Sequence, residues 1–218
     1  MQGLRAAIID LDGTLVDTLG DFSAALHAML ARLGLPAIDR RVVAGFIGKG
    51  SEHLIRCALA HVGAPASLYQ PAWDAYQDAY RGLNGRHATV YPGVEAGVAQ
   101  MRDAGLRLAC LTNKPTEFAV ALLEAKGLAA SFDLVFGGDA FERKKPDPLP
   151  VRKTCEALGT PAAATLVVGD SVNDAQAARA AGCPVVLVTY GYNHGVPVRA
   201  VAADGYVDSL AEVPGLWG

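Results

Sequence analysis

Ala6-Ala7-Ile8-Ile9-Asp10-Leu11-Asp12-Gly13-Thr14-Leu15-Val16 is a short apolar run that ends in two carboxylates. Residues 6–9 have the unbroken apolar character of a strand buried on both faces, as in a parallel sheet. Asp10 and Asp12 then fall at the carboxyl end of that strand, where open α/β sheets place their ligand sites. Alternation points both side chains to one side, and two like charges in a small volume call for a cation or a proton between them. Gly13 permits a sharp turn and Thr14 offers a hydroxyl. An Asp-x-Asp-Gly stretch is also compatible with a plain helix-capping turn, so the rest of the chain decides its meaning.

Outward from this stretch, the pattern is first helical. Leu19, Phe22, Leu26, Met29, Leu30 and Leu33 recur at helical spacing until Gly34, with Asp17 or Thr18 as the cap. Further helices are expected over 51–62 and 72–83, and Arg40-Arg41 reads as a solvated helix start. Residues 18–86 are therefore expected to form a helical insert, a cap hinged at 13–17 and 85–93, with 1–17 and 87–218 forming the α/β core. From Gly93 onward helix, glycine and strand alternate. Helices near 94–104, 117–126, 151–158 and 173–181 precede Gly105, Gly127, Gly159 and Gly182, and strands follow at 106–111, 134–136, 165–168 and 184–188. That rhythm predicts a doubly wound parallel sheet.

Composition narrows the class. The 218 residues are 51% apolar with a net charge of −3, and no basic or aromatic cluster of the kind that binds nucleic acid is present. No apolar run reaches a membrane span and no signal peptide is visible, so a cytoplasmic protein is expected. Cys57, Cys110, Cys155 and Cys183 form no Cys-x-x-Cys pair and read as buried free thiols, and the five histidines lack zinc-site spacing.

The other strand ends carry polar residues too. Thr112-Asn113-Lys114-Pro115 opens a helix and presents a hydroxyl, an amide and backbone N–H groups suited to an anion. Arg143-Lys144-Lys145-Pro146-Asp147-Pro148 is basic, and Gly169-Asp170-Ser171-Val172-Asn173-Asp174 adds two carboxylates, of which helix capping explains one. Hard carboxylate oxygens suit Mg²⁺, while lysine, threonine and backbone N–H groups suit a phosphate.

In this order the four stretches resemble the motifs of the haloacid dehalogenase superfamily, over essentially the whole chain. The resemblance implies an aspartyl-phosphate mechanism, with Asp10 the nucleophile and Asp12 the acid, then the base. It implies Mg²⁺ held by Asp10, the Asp12 backbone carbonyl and Asp170, with Asp174 beside them, and phosphoryl oxygens held by Thr112, Asn113 and Lys145. Lys144 is a rival to Lys145, but the family sets its lysine directly before the proline. The insert is similar to the α-helical cap of subfamily I.

Phe46-Ile47-Gly48-Lys49-Gly50-Ser51 and Thr189-Tyr190-Gly191-Tyr192-Asn193-His194-Gly195 resemble bacterial phosphoglycolate phosphatases, which implies 2-phosphoglycolate as substrate. Gly48, Lys49 and Gly50 then become candidates for contact with a second acid group, against the simpler reading of a loop with Ser51 as helix cap. Phosphatases of sugar phosphates, such as N-acetylmuramate 6-phosphate, share the core and are the alternative. A phosphate-binding module without turnover is disfavoured by the intact Asp10, and a phosphonoacetaldehyde hydrolase by Asp12.

Overall fold

The computed structural model describes residues 3–217. In chain order it runs β1 (Ala6–Ile9), β2 (Val16–Asp17), α1 (Leu19–Arg32), α2 (Arg40–Ala44), α3 (Ser51–His61), α4 (Tyr69–Leu83) and β3 (Thr89–Val90). Then follow α5 (Val94–Asp103), β4 (Arg107–Leu111), α6 (Thr116–Ala125), β5 (Leu134–Phe136), α7 (Leu149–Leu158), β6 (Thr165–Gly169), α8 (Val172–Ala181), β7 (Val185–Val188) and β8 (Gly205–Val207). Six strands form one sheet in the order β5-β4-β1-β6-β7-β8, every pair parallel, so this is a doubly wound α/β fold.

β1 sits between β4 and β6, with Ile9 level with Cys110 on one side and Val168 on the other. The pleat divides its side chains between two cores. Ala7 and Ile9 join Leu108, Cys110, Leu166 and Val168 beneath α5 and α6, whereas Ala6 and Ile8 join Ala109, Leu111 and Val167 beneath α7 and α8. Apolar side chains on both faces are the reason the opening run is unbroken.

Helices α1 to α4 build a third cluster of their own, in which Phe22, Leu26 and Met29 of α1 meet Leu54 and Ile55 of α3 and Tyr76 and Tyr80 of α4. Only Phe118 and Tyr192 enter it from the α/β unit among the buried residues described. The chain enters and leaves this region through the antiparallel β2–β3 ribbon, Val16 against Val90. Asp21 closes the seam. Fully buried in the first turn of α1, it accepts hydrogen bonds from Gly85 N and His87 N, both at 2.6 Å.

The structure departs from the sequence reading in a few places. α4 begins at Tyr69, three residues earlier than the apolar pattern indicates, because a 3₁₀ turn at Ala66–Leu68 feeds straight into it. β8 is unheralded, since Gly205-Tyr206-Val207 between two aspartates carries little strand signal. The 3₁₀ stretch Leu210–Trp217 packs on α5 so closely that a Cβ on Gly97 would lie 2.5 Å from Leu210 O. Cys57 is only half-buried, against the expectation for all four thiols.

Asp21→Ala is expected to leave two backbone N–H groups unpaired at the seam and to lower stability by roughly 2–4 kcal/mol. A urea titration followed by circular dichroism measures it, and an unchanged midpoint would show that the seam is held by packing alone.

Candidate active site

The carboxyl ends of β1, β4 and β6 and the loop that follows β5 deliver the charged groups. After β1, the N–H groups of Thr14, Leu15 and Val16 all converge on Leu11 O, which folds the chain back sharply. Gly13 stands at φ +85 in this turn, and a Cβ there would lie 2.2 Å from Asp170 Oδ2. Only glycine therefore lets the first strand end approach the third. Asp10 and Asp12 emerge on either side of Leu11, both largely buried.

Each of these carboxylates has its own lysine. Lys145 Nζ lies 2.9 Å from Asp10 Oδ1 and 2.7 Å from Asp174 Oδ1, and donates to Leu111 O at 2.7 Å. Lys114 Nζ lies 2.9 Å from Asp12 Oδ1. The Lys145 ammonium is the one donor group that meets Asp10 Oδ1 among the described residues. Lys144 takes no part: it is partly exposed and meets Glu52 at 3.9 Å.

Asp10, Asp170 and Asp174 bring one carboxylate oxygen each within 4.8 Å of one another. Burial is the main cause that raises Asp10 to about 7; Lys145 opposes it, and Asp174 and Asp12 reinforce it. Burial, then Asp174 and Asp10, hold Asp170 well above the ordinary carboxylate range, against the pull of the Tyr192 N–H. Burial alone would lower Lys145, but Asp10 and Asp174 raise it instead.

The four carboxylates Asp10, Asp12, Asp170 and Asp174 face two ammonium groups, Lys114 and Lys145, all of them buried. With all four ionised, two negative charges would be left uncompensated. All-oxygen donors and that surplus of negative charge fit a hard divalent cation.

Thr112 and Asn113 flank this cluster. Thr112 Oγ1 accepts from Lys114 N at 3.2 Å. The Asn113 side chain is committed elsewhere: Oδ1 accepts from Lys145 N at 3.0 Å, and Nδ2 donates to Lys145 O at 2.8 Å and to Gly48 O at 2.9 Å. Asn173 Nδ2 donates to the same Gly48 carbonyl at 3.2 Å, so one carbonyl of the helical insert is held by two asparagines of the α/β unit.

Asp10 and Asp12 open into a narrow cavity of about 20 Å³, roofed by Phe22, Leu54 and Tyr80 and bordered by Gly48, Gly50 and Thr112. Lys49, between the two glycines, is exposed and outside the lining. The structure thus brings together every residue singled out from the sequence except Lys49. Three residues escaped that reading: Lys114, Asn173 and Tyr192. All three stand inside stretches quoted above, and for Lys114 and Asn173 a charged or amide side chain next to a candidate ligand was the available signal. Tyr192 carried no such signal, because its backbone N–H does the work on Asp170.

This chain matches the family model described as haloacid dehalogenase-like hydrolase over residues 7–188. The chain belongs to that family. It is 47% identical to a plasmid-encoded phosphoglycolate phosphatase of Cupriavidus necator over 97% of this chain and 92% of that one. It is 41% identical to a phosphoglycolate phosphatase of Thiobacillus denitrificans over 96% and 93%. Among solved structures, a predicted phosphoglycolate phosphatase from Haemophilus somnus superposes with a TM-score of 0.95, at 30% identity and 99% coverage of both chains. CbbY from Rhodobacter sphaeroides, solved with phosphate, superposes with a TM-score of 0.82 at 26% identity over 96% of each chain. No described helix is long and apolar enough to cross a membrane.

The raised carboxylates give a pH signature. A folded-state value of about 7 against 3.8 for a free carboxyl means the folded protein binds the proton more tightly. The stability this contributes is complete below the free value and is lost as pH rises through about 7. In EDTA the melting temperature is expected to fall between pH 5 and pH 8 by about 5 °C or more. A divalent cation offsets that loss, so its stabilising shift is larger at pH 8 than at pH 5; equal shifts at both would place the cation away from these groups.

Proposed function

We propose that this protein is a Mg²⁺-dependent phosphomonoesterase that hydrolyses 2-phosphoglycolate to glycolate and phosphate through an aspartyl-phosphate. One observation carries the reading. Among the described residues, Asp10 alone belongs both to the acidic trio and to the cavity lining, so cation and substrate meet on one carboxylate.

Asp10 attacks phosphorus, a P–O bond forms to its carboxylate oxygen, and the bond to the substrate's ester oxygen breaks. Asp12 gives its proton to that departing oxygen, then takes a proton from the water that cleaves the acyl-phosphate and frees Asp10. Lys145, already against Asp10, balances charge on the phosphoryl oxygens. Thr112 offers its hydroxyl, and Asn113, its side chain occupied, contributes its backbone N–H. Asp10, Asp170, Asp174 and the Asp12 carbonyl are the groups that would hold Mg²⁺. When bound, the ion neutralises charge that builds on the transferring group.

The phosphoglycolate phosphatases among the relatives support a small substrate. The small phosphorylated metabolite is the only partner this reading requires, and nothing in it calls for nucleic acid or membrane. It is compatible with a cytoplasmic enzyme.

With Mg²⁺, kcat/KM is expected to be highest for 2-phosphoglycolate in a panel that includes N-acetylmuramate 6-phosphate, other sugar phosphates and pyrophosphate. A sugar phosphate ranked first would overturn the substrate assignment. Asp10→Asn is expected to cost at least about 10³-fold in kcat with the fold retained, because the nucleophile itself is lost. Full activity in that folded variant would refute the covalent route.

A further inference from the structure

Lys114 stands out because nothing in the phosphoryl-transfer steps uses it. It is 4% exposed, yet among the described residues its ammonium has one hydrogen-bond partner, Asp12 Oδ1 at 2.9 Å. An ammonium carries three donors, so two are left without a polar acceptor. The group is instead boxed by aromatic faces from the helical insert: Nζ lies 4.4 Å from the ring centre of Phe22 and 5.0 Å from that of Tyr80. Those rings stack on each other at 5.5 Å, and Phe118 meets Tyr80 edge-on at 4.9 Å. Lys114 is the one cation among the residues lining the cavity. An aromatic box strengthens a buried cation's hold on its site while leaving its remaining donors free for an anion.

Chemistry fixes where that anion belongs. The acid that protonates the leaving oxygen stands within hydrogen-bond reach of it. A cation 2.9 Å from that acid therefore faces whatever the leaving group carries immediately beyond the ester oxygen. In 2-phosphoglycolate this is a carboxylate, one carbon away.

We propose that Lys114 is the specificity residue of this site, its boxed ammonium binding the carboxylate of the leaving group. The inference rests on the assignment of Asp12 as the leaving-group acid. The two lysines then divide the substrate: Lys145 on the phosphoryl end beside Asp10, Lys114 on the carboxylate end beside Asp12. The selected class is small phosphomonoesters with a carboxylate one carbon from the ester oxygen, and the exposed Lys49 is not required for the choice.

The test compares kcat/KM for 2-phosphoglycolate with that for ethyl phosphate, which replaces the carboxylate by a methyl group, in the full-length protein with Mg²⁺. Lys114→Met is expected to lower both, since Asp12 loses its partner, but to collapse the ratio between them by about 10²-fold. Lys114→Arg, which keeps the charge, is expected to recover part of the ratio. Glycolate titrated calorimetrically in the presence of inorganic phosphate needs no turnover and is expected to bind at least about tenfold more weakly to Lys114→Met. Lys114→Gln serves the same measurements if the Met variant does not fold.

A ratio that survives while both rates fall together would overturn the proposal and leave Lys114 acting through Asp12 alone. So would unchanged glycolate binding, or a ratio that collapses in Lys49→Ala instead. A wild-type ratio near one has a different meaning, since it removes 2-phosphoglycolate as the substrate and the proposal with it.

Discussion

Four carboxylates and two ammonium groups share one buried volume at the end of the central strands, and most of the local architecture follows from keeping them there. Buried charge is tolerable only when paired or bonded. Lys145 spans Asp10 and Asp174, Lys114 is paired with Asp12, and Asp170 accepts from the Tyr192 N–H. The backbone has to come very close to make this possible. A Cβ at Gly169 would lie 2.2 Å from Asp174 Cγ, and one at Gly191 would lie 2.3 Å from Asp170 Cβ. Three turns from different strand ends are thus compressed around two side chains. The surplus of negative charge when all four are ionised is the feature that suits the site to a divalent cation and to a reaction in which charge on phosphorus must be offset.

The helical insert completes this site rather than merely covering it. Phe22 and Tyr80 supply the faces over Lys114, and Gly48 supplies the carbonyl that Asn113 and Asn173 hold. Asn113 also orders the backbone of Lys145, so the same amide that fixes the lysine beside Asp10 is bonded to the seated insert. With a cavity of about 20 Å³ beneath the roof, substrate entry requires those bonds to open. The hinge end is firmer. Asp21 binds the returning chain at Gly85 and His87, and the Tyr192 hydroxyl donates to Asp17 while it accepts from Leu19 N at 3.0 Å. Tyr192 thereby joins the first turn of α1 to the strand end that steadies Asp170.

Much of this was legible in the sequence because it rests on period and punctuation. Unbroken apolar runs such as Ile8-Ile9 and Val167-Val168 can be buried on two faces only in a parallel sheet, and Gly159 and Gly182 ended their helices at φ +64 and +85 as expected. The clustered carboxylates were visible for the same reason: aspartates at the ends of apolar strands have few structural excuses. What stayed hidden depends on distant partners. Asp21 looks like an ordinary first-turn acid, and its role exists only because residues 85–87 return beside it. Lys114 looks like a solvated helix start until Phe22 and Tyr80, separated by a 58-residue stretch of chain, close over it. Asn113 was placed on the phosphoryl group by its motif, yet its amide is spent on Lys145 and Gly48. β8 was lost because three residues at a sheet edge leave almost no pattern to read.

Asp174 shows why capping and chemistry were poor alternatives to set against each other. It is the third residue of α8 and completes a capping box with Ser171, its Oδ2 accepting from Ser171 N at 3.2 Å and from Ser171 Oγ at 2.8 Å. Its Oδ1 meanwhile holds Lys145 at 2.7 Å. A carboxylate whose one oxygen is fixed by a helix terminus presents the other in a single orientation, which is the pre-organisation a charged site needs. The helix start is thus the means by which the functional carboxylate is aimed. Asp17 differs: its Oδ1 alone accepts both from Leu19 N, capping α1, and from the Tyr192 hydroxyl. Asp174 does both jobs at once, so a sequence reading that asks which of the two it performs divides what the structure has combined.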